Sequence, residues 1–158
     1  MIAFALLLAI GAAPAAPTKC SMLDAVYKSA DDPRFILTAA RLASHSEVVS
    51  DIGIHLRSNS PEDESWWYFD EGSARRISLI STLDPTLAGW KAEPDGGTRI
   101  YGSSAFIGMS DKGDIVESAP QANSEAPYYI IIPELAEMYR KHKKEHRPSA
   151  FVFSSCNK

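Results

Sequence analysis

The sequence predicts an α+β fold, a mainly antiparallel sheet of about six or seven strands with two helices in a single domain. Three stretches carry that prediction. Glu64–Pro85 reads as two strands joined by a polar turn, Val48–Arg57 alternates apolar with polar side chains, and Pro133 opens a run with apolar residues at helical spacing. Hairpins dominating the middle of a chain are the pattern of α+β proteins.

Taken in order, Ile2 to Ala12 is apolar apart from Gly11, and Ala13-Pro14-Ala15 comes next with small residues. The run is too short for a bilayer core of roughly 30 Å but matches the core of a signal peptide, although no Lys or Arg precedes it. The expectation is a leader over 1–15 and an exported domain over 16–158, periplasmic or secreted, with no membrane span after cleavage. Pro17-Thr18-Lys19 before Cys20 does not resemble a lipobox. Export makes Cys20 and Cys156 a predicted disulfide, since oxidising compartments favour the bridge and neither cysteine has Cys-x-x-Cys spacing.

Ser21-Met22-Leu23-Asp24 has the form of a helix capping box, and Leu23, Val26, Tyr27 and Ala30 continue it at helical spacing, predicting a first helix that ends at Asp31-Asp32-Pro33. Arg34–Ala43 reads as a strand on the strength of Phe35, Ile36 and Thr38. Val48–Arg57 is the clearest strand: Val48, Ile52, Ile54 and Leu56 share one face, while Asp51, His55 and Arg57 line the other. Ser58–Glu64 is a polar loop. In the hairpin of Ser65–Asp70 and Arg76–Thr82, Trp66, Trp67, Tyr68 and Phe69 stand in succession, so rings point to both faces and the strand needs cover on both. The pattern predicts Trp66 and Tyr68 inward and Trp67 outward beside His55. Thr86–Gly97 is a loop, Arg99–Met109 a glycine-softened strand, Asp111–Asp114 a turn, and Ile115–Ser118 a short strand. Tyr128–Ile132 is a buried strand, and after Pro133 a helix carries Leu135, Met138, Tyr139 and His142 on one face. Ala150–Ser155 closes the sheet.

A net charge of -4 with pI near 5.5 argues against nucleic acid as a partner. The basic cluster from Arg140 to Arg147 is interrupted by Glu145 and reads as a solvated helix face. No glycine loop for phosphate and no G-x-S-x-G occurs. Within that helix, His142-Lys143-Lys144-Glu145-His146 resembles the H-x-x-E-H pattern of inverzincin metallopeptidases, over those five residues alone. A solvated helix end accounts for them, so no metal and no other cofactor is predicted. Gly97-Thr98-Arg99-Ile100-Tyr101 with Ser110-Asp111-Lys112-Gly113 resembles two loops of membrane-bound C-type lysozyme inhibitors. That resemblance implies an inhibitor of an envelope enzyme acting through the Lys112 turn.

The sequence therefore favours a non-catalytic module that binds an envelope protein or a small ligand. Its predicted surface gathers Asp51, His55 and Arg57 from one strand with Trp67, Asp70 and Arg75 from the hairpin. A small hydrolase using His55 with a neighbouring acid is the alternative of a different class.

Overall fold

A computed structural model describes residues 19–44, 48–60, 64–72, 76–92, 99–143 and 148–157, apart from the side chains of 142 and 143. The leader over 1–15, Arg75 and His146 lie outside them. The strands are β1 Ala25–Ser29, β2 Ile36–Arg41, β3 Ile52–Arg57, β4 Ser65–Glu71, β5 Ile77–Thr82, β6 Ser103–Ala105, β7 Ile107–Met109, β8 Tyr129–Ile131 and β9 Ala150–Cys156. A single helix among the described residues, α1, spans Leu135–Lys143. This corrects the expected α+β sheet of six or seven strands and two helices: nine strands form a nearly closed antiparallel barrel with one short helix.

Closure is dictated by the strand order, β6-β5-β4-β3-β2-β1-β9-β8-β7. A flat sheet of that width would hold its edges roughly 38 Å apart, at about 4.8 Å per strand. Here the edge strands β6 and β7 are separated by Phe106 alone. The sheet must curl until its edges meet. One run of chain thus changes partner as it passes Phe106, with β6 pairing β5 and β7 pairing β8. The N–H of Phe106 still donates to Ile77 O at 2.9 Å.

The predicted first helix is β1. Ser21 and Asp24 do bond each other, with the hydroxyl donating to the carboxylate at 2.5 Å, but they close a turn rather than start a helix. Capping boxes and tight turns draw on the same side chains. The strand itself alternates: Ala25, Tyr27 and Ser29 are buried and Lys28 is exposed, and the β-branched and aromatic pair Val26-Tyr27 favours the pleated form.

Inward-facing residues make one apolar core, with Tyr27, Leu37, Ile52, Ile54, Leu56, Trp67, Phe69, Leu79 and Phe151 all buried within it. The helix after Pro133 forms as predicted and lies over the end of the barrel where β4 and β6 begin, burying Leu135, Met138 and Tyr139. The Tyr139 hydroxyl bonds Ser65 Oγ. Ser104 Oγ and the N–H of Ala105 donate to Glu134 at 2.5 and 3.1 Å, and the hydroxyl above all holds that carboxyl below its usual range. The segment of residues 119–126 covers the other end, where Pro120 O accepts from Ser50 Oγ and Ser124 O accepts from the N–H of Met22.

The Cys20–Cys156 disulfide forms as predicted, with 5.9 Å between the Cα atoms. It ties the chain entering β1 to the end of β9.

Covering both faces of β4 requires a second layer outside the barrel, and residues 83–92 supply it. Pro85 is buried and its carbonyl accepts from the N–H of Ala43 at 2.8 Å. Trp90 sets its ring edge-on to Tyr68 with centroids 5.6 Å apart, and its Nε1–H donates to Thr82 Oγ1 at 2.9 Å. Gly53 lies beneath this layer. A Cβ there would sit 2.9 Å from Trp67 O, 3.1 Å from Leu42 Cδ2 and 3.2 Å from Pro85 Cγ. Gly53→Ala therefore lowers stability by about 1–3 kcal/mol, because the carbonyl is locked in the β3–β4 ladder and cannot retreat. Urea unfolding checks this, and an unchanged midpoint would count against the close approach.

Candidate functional site

Strand register decides which predicted site residues meet. β3 and β4 are neighbours, as the predicted surface requires, with Ile54 opposite Trp67 and His55 opposite Trp66. Directly opposed residues share a face. Since Ile54 points into the core, so does Trp67, which is 1% exposed. The prediction that Trp67 faces outward beside His55 is corrected: Trp66 occupies that position. Its indole stacks on the imidazole with centroids 3.9 Å apart and planes 3° from parallel. Tyr68, on the same outer face, is buried as expected but under Trp90 rather than in the core.

The remaining predicted residues spread along the strands. Asp51, four residues before His55 and so about 13 Å away along the strand, is bound to Arg41 Nη1 at 2.9 Å and accepts from the N–H of Ala122 at 2.7 Å. It joins β3 to the segment of residues 119–126. Arg57 ends β3, exposed and near enough to His55 to act on its charge. Asp70 lies toward the far end of β4, opposite Ser78. Of the six, His55 and Arg57 stand together, Asp51 and Asp70 lie elsewhere, Trp67 is in the core, and Arg75 is outside the described residues.

Two residues not chosen from the sequence complete the arrangement around His55. Glu64, read as the end of a polar loop, brings Oε1 to 2.5 Å from His55 Nε2. Asp84, at the end of the predicted Glu64–Pro85 stretch, also acts on the imidazole. A groove of about 320 Å³ opens here, lined by Glu64, Trp66, Leu83, Asp84, Ile100 and Tyr101 together with the buried Ser65 and Thr82. Leu83 and Ile100 are 73% and 36% exposed.

The His55 side chain is only 15% exposed. Burial pushes its pKa below the ordinary histidine value of 6.5; bonding to Glu64 and the negative charges of Glu64 and Asp84 oppose the shift, and Arg57 adds to it. The imidazole is therefore neutral at neutral pH. A group whose folded pKa is depressed contributes stability above its unfolded pKa and loses it as pH falls through the folded value. The wild type should thus lose stability below about pH 6.5 by an increment that His55→Asn lacks. Urea unfolding of both proteins between about pH 8 and pH 5 measures it; a difference that grows in favour of the wild type on acidification would reverse the sign.

A second groove, of about 610 Å³, lies at the barrel seam, lined by the apolar Ile77, Phe106, Ile107, Ile115 and Val116 and by the charged Arg76 and Glu117. Among the described residues no three His, Cys, Asp or Glu side chains are grouped to hold a metal ion. The His142–His146 motif lies outside the described residues, save for the backbone of His142 and Lys143 in α1. No helix among the described residues is long and apolar enough to cross a membrane. Family models, curated proteins and solved structures were each compared with the chain, and none matches.

Proposed function

We propose that the chain is an exported, periplasmic or secreted, non-catalytic binding module, and that its ligand site is the groove outside the barrel beside His55 and Trp66. One contrast carries this. The barrel interior is filled by large side chains, Trp67, Tyr27, Tyr139, Phe69 and Phe151 among them, whereas the outer face of β3–β5 leaves a concave surface with rings, carboxylates and exposed apolar residues converging on it. Ligand sites combine apolar surface with a few placed polar groups in this way. The disulfide favours an oxidising compartment. Binding is favoured over hydrolysis because, among the described residues, the hydrogen bond of His55 goes to a carboxylate and no hydroxyl is bonded to the ring to serve as a nucleophile. A screen of neutral, anionic and cationic fragments against the ¹⁵N-labelled full chain tests the site. Binders should shift the amides of Glu64, Trp66, Asp84 and Tyr101; binders that instead shift interior or seam residues would overturn it.

A second observation supports the inhibitor alternative. The turn bearing Lys112 is well braced: the N–H of Ser110 donates to Asp114 O at 2.8 Å, and Ser110 Oγ accepts from the N–H groups of Lys112 and Asp114. Gly113 supplies the positive φ of 89°. An inhibitor needs such a projecting rigid turn. Failure of the full chain to inhibit a C-type lysozyme, or equal inhibition by Lys112→Ala, would remove this alternative.

A further inference from the structure

The charges around the groove select a ligand class, an inference that rests on the binding site proposed above. Glu64 is 46% exposed, and its hydrogen-bond partner is an imidazole whose pKa burial lowers, so that partner brings no positive charge above the ordinary histidine range. Asp84 Oδ1 accepts from the N–H and the hydroxyl of Thr86 at 2.9 and 2.6 Å, both neutral donors. Among the described residues the Lys and Arg ion pairs are Arg34–Asp32, Arg41–Asp51 and Lys141–Glu137, so neither groove carboxylate is paired with a Lys or Arg. Arg57 is the nearby cation that acts on His55, and it sits at the exposed end of β3 rather than among the lining residues. The indole of Trp66 lines the same groove as the two acids and is held flat by the parallel imidazole. An aromatic face beside carboxylates that no Lys or Arg pairs favours a cation over an anion. Leu83 and Ile100 at the rim supply apolar contact for a short aliphatic stem.

We propose that the groove binds an ammonium group, primary or quaternary, carried on a short apolar stem, with the head against Glu64, Asp84 and Trp66 and the stem along Leu83 and Ile100. The volume of about 320 Å³ suits a single such group. A free alkylammonium and a lysine side chain share this chemistry.

The ¹⁵N-labelled full chain, titrated at about pH 7.5, where the imidazole is neutral, with butylammonium, butyltrimethylammonium, Nα-acetyl-lysine methylamide and neutral 1-butanol, distinguishes the cases. Saturable shifts of the Trp66 amide and indole N–H with the cations, and none with 1-butanol, are expected. Glu64→Gln with Asp84→Asn should weaken binding by at least about tenfold, and Trp66→Leu by roughly two- to thirtyfold. An unchanged amide spectrum elsewhere shows that the variants fold. Preference for the blocked lysine over both simple amines points to a protein ligand, and the reverse to a small molecule. Equal shifts with 1-butanol would overturn the cation class while leaving the groove as the site. Unchanged affinity in the double variant would remove the carboxylates from recognition, and no saturable shift with any probe would overturn the groove as well.

Discussion

Trp67→Ala lowers the stability of the fold by about 3–5 kcal/mol, whereas Trp66→Ala costs only about 1–2 kcal/mol. The two residues are chemically identical and adjacent, so the contrast comes wholly from the face each takes. Trp67 is fully enclosed, and its Nε1–H donates to Ser65 Oγ at 3.0 Å. That hydroxyl also bonds Tyr139, which brings α1 onto the barrel. Truncating Trp67 leaves a cavity and takes a partner from a buried polar group, both among the costly mechanisms. Trp66 is half-buried, and its removal forfeits chiefly the stacking on His55. Urea unfolding of both variants gives the comparison; equal losses, or a larger loss for Trp66→Ala, would contradict the register.

Removing the disulfide is the other large effect. The bridge closes a loop of sequence separation 136, for which the chain-entropy relation gives about 5 kcal/mol. The Cys20→Ser/Cys156→Ser variant should melt roughly 15 °C below the oxidised wild type, which is the shift that free energy implies for a chain of this size. Much of the effect acts on the unfolded state, so the folded variant should keep the wild-type β-sheet signal at low temperature. Calorimetry with and without reductant tests this: a wild-type melting point indifferent to reductant would contradict it.

Much of the sheet was legible in the sequence because period-two alternation is a local signal. Ile52, Ile54 and Leu56 point inward as their spacing required, and β4, β5, β8, α1 and β9 lie where composition put them. Closure into a barrel was not legible. It turns on Phe106, where one strand changes partner, and nothing in the run Ser103–Met109 beyond its two serines and Gly108 marks that exchange. The first helix failed because four residues of cap chemistry outweighed the β preference of Val26 and Tyr27.

The site was half legible for a related reason. Alternation put His55 and Arg57 on one face of β3, but Asp51, expected beside them, precedes the strand and bonds Arg41 and Ala122 instead. In β4 both parities are aromatic, so hydrophobicity alone does not choose the inner one. The choice was available through pairing: once His55 is outside, the ring opposite it is outside too, and the register makes that ring Trp66. Glu64 reads as loop by composition, although its position immediately before β4 brings it next to His55. Leu83 and Ile100 belong to loops that sequence periodicity does not describe, and only the fold brings them to one groove.

Everything proposed for the groove depends on Trp66 being outside and Trp67 inside, and hydroxyl-radical footprinting of the folded chain reads that directly. Tandem mass spectrometry of the peptide containing Trp66-Trp67 should locate oxidation on Trp66, with Trp67 protected until the protein is unfolded in urea. Oxidation of Trp67 in the folded state, with Trp66 protected, would contradict both the register and the site built upon it.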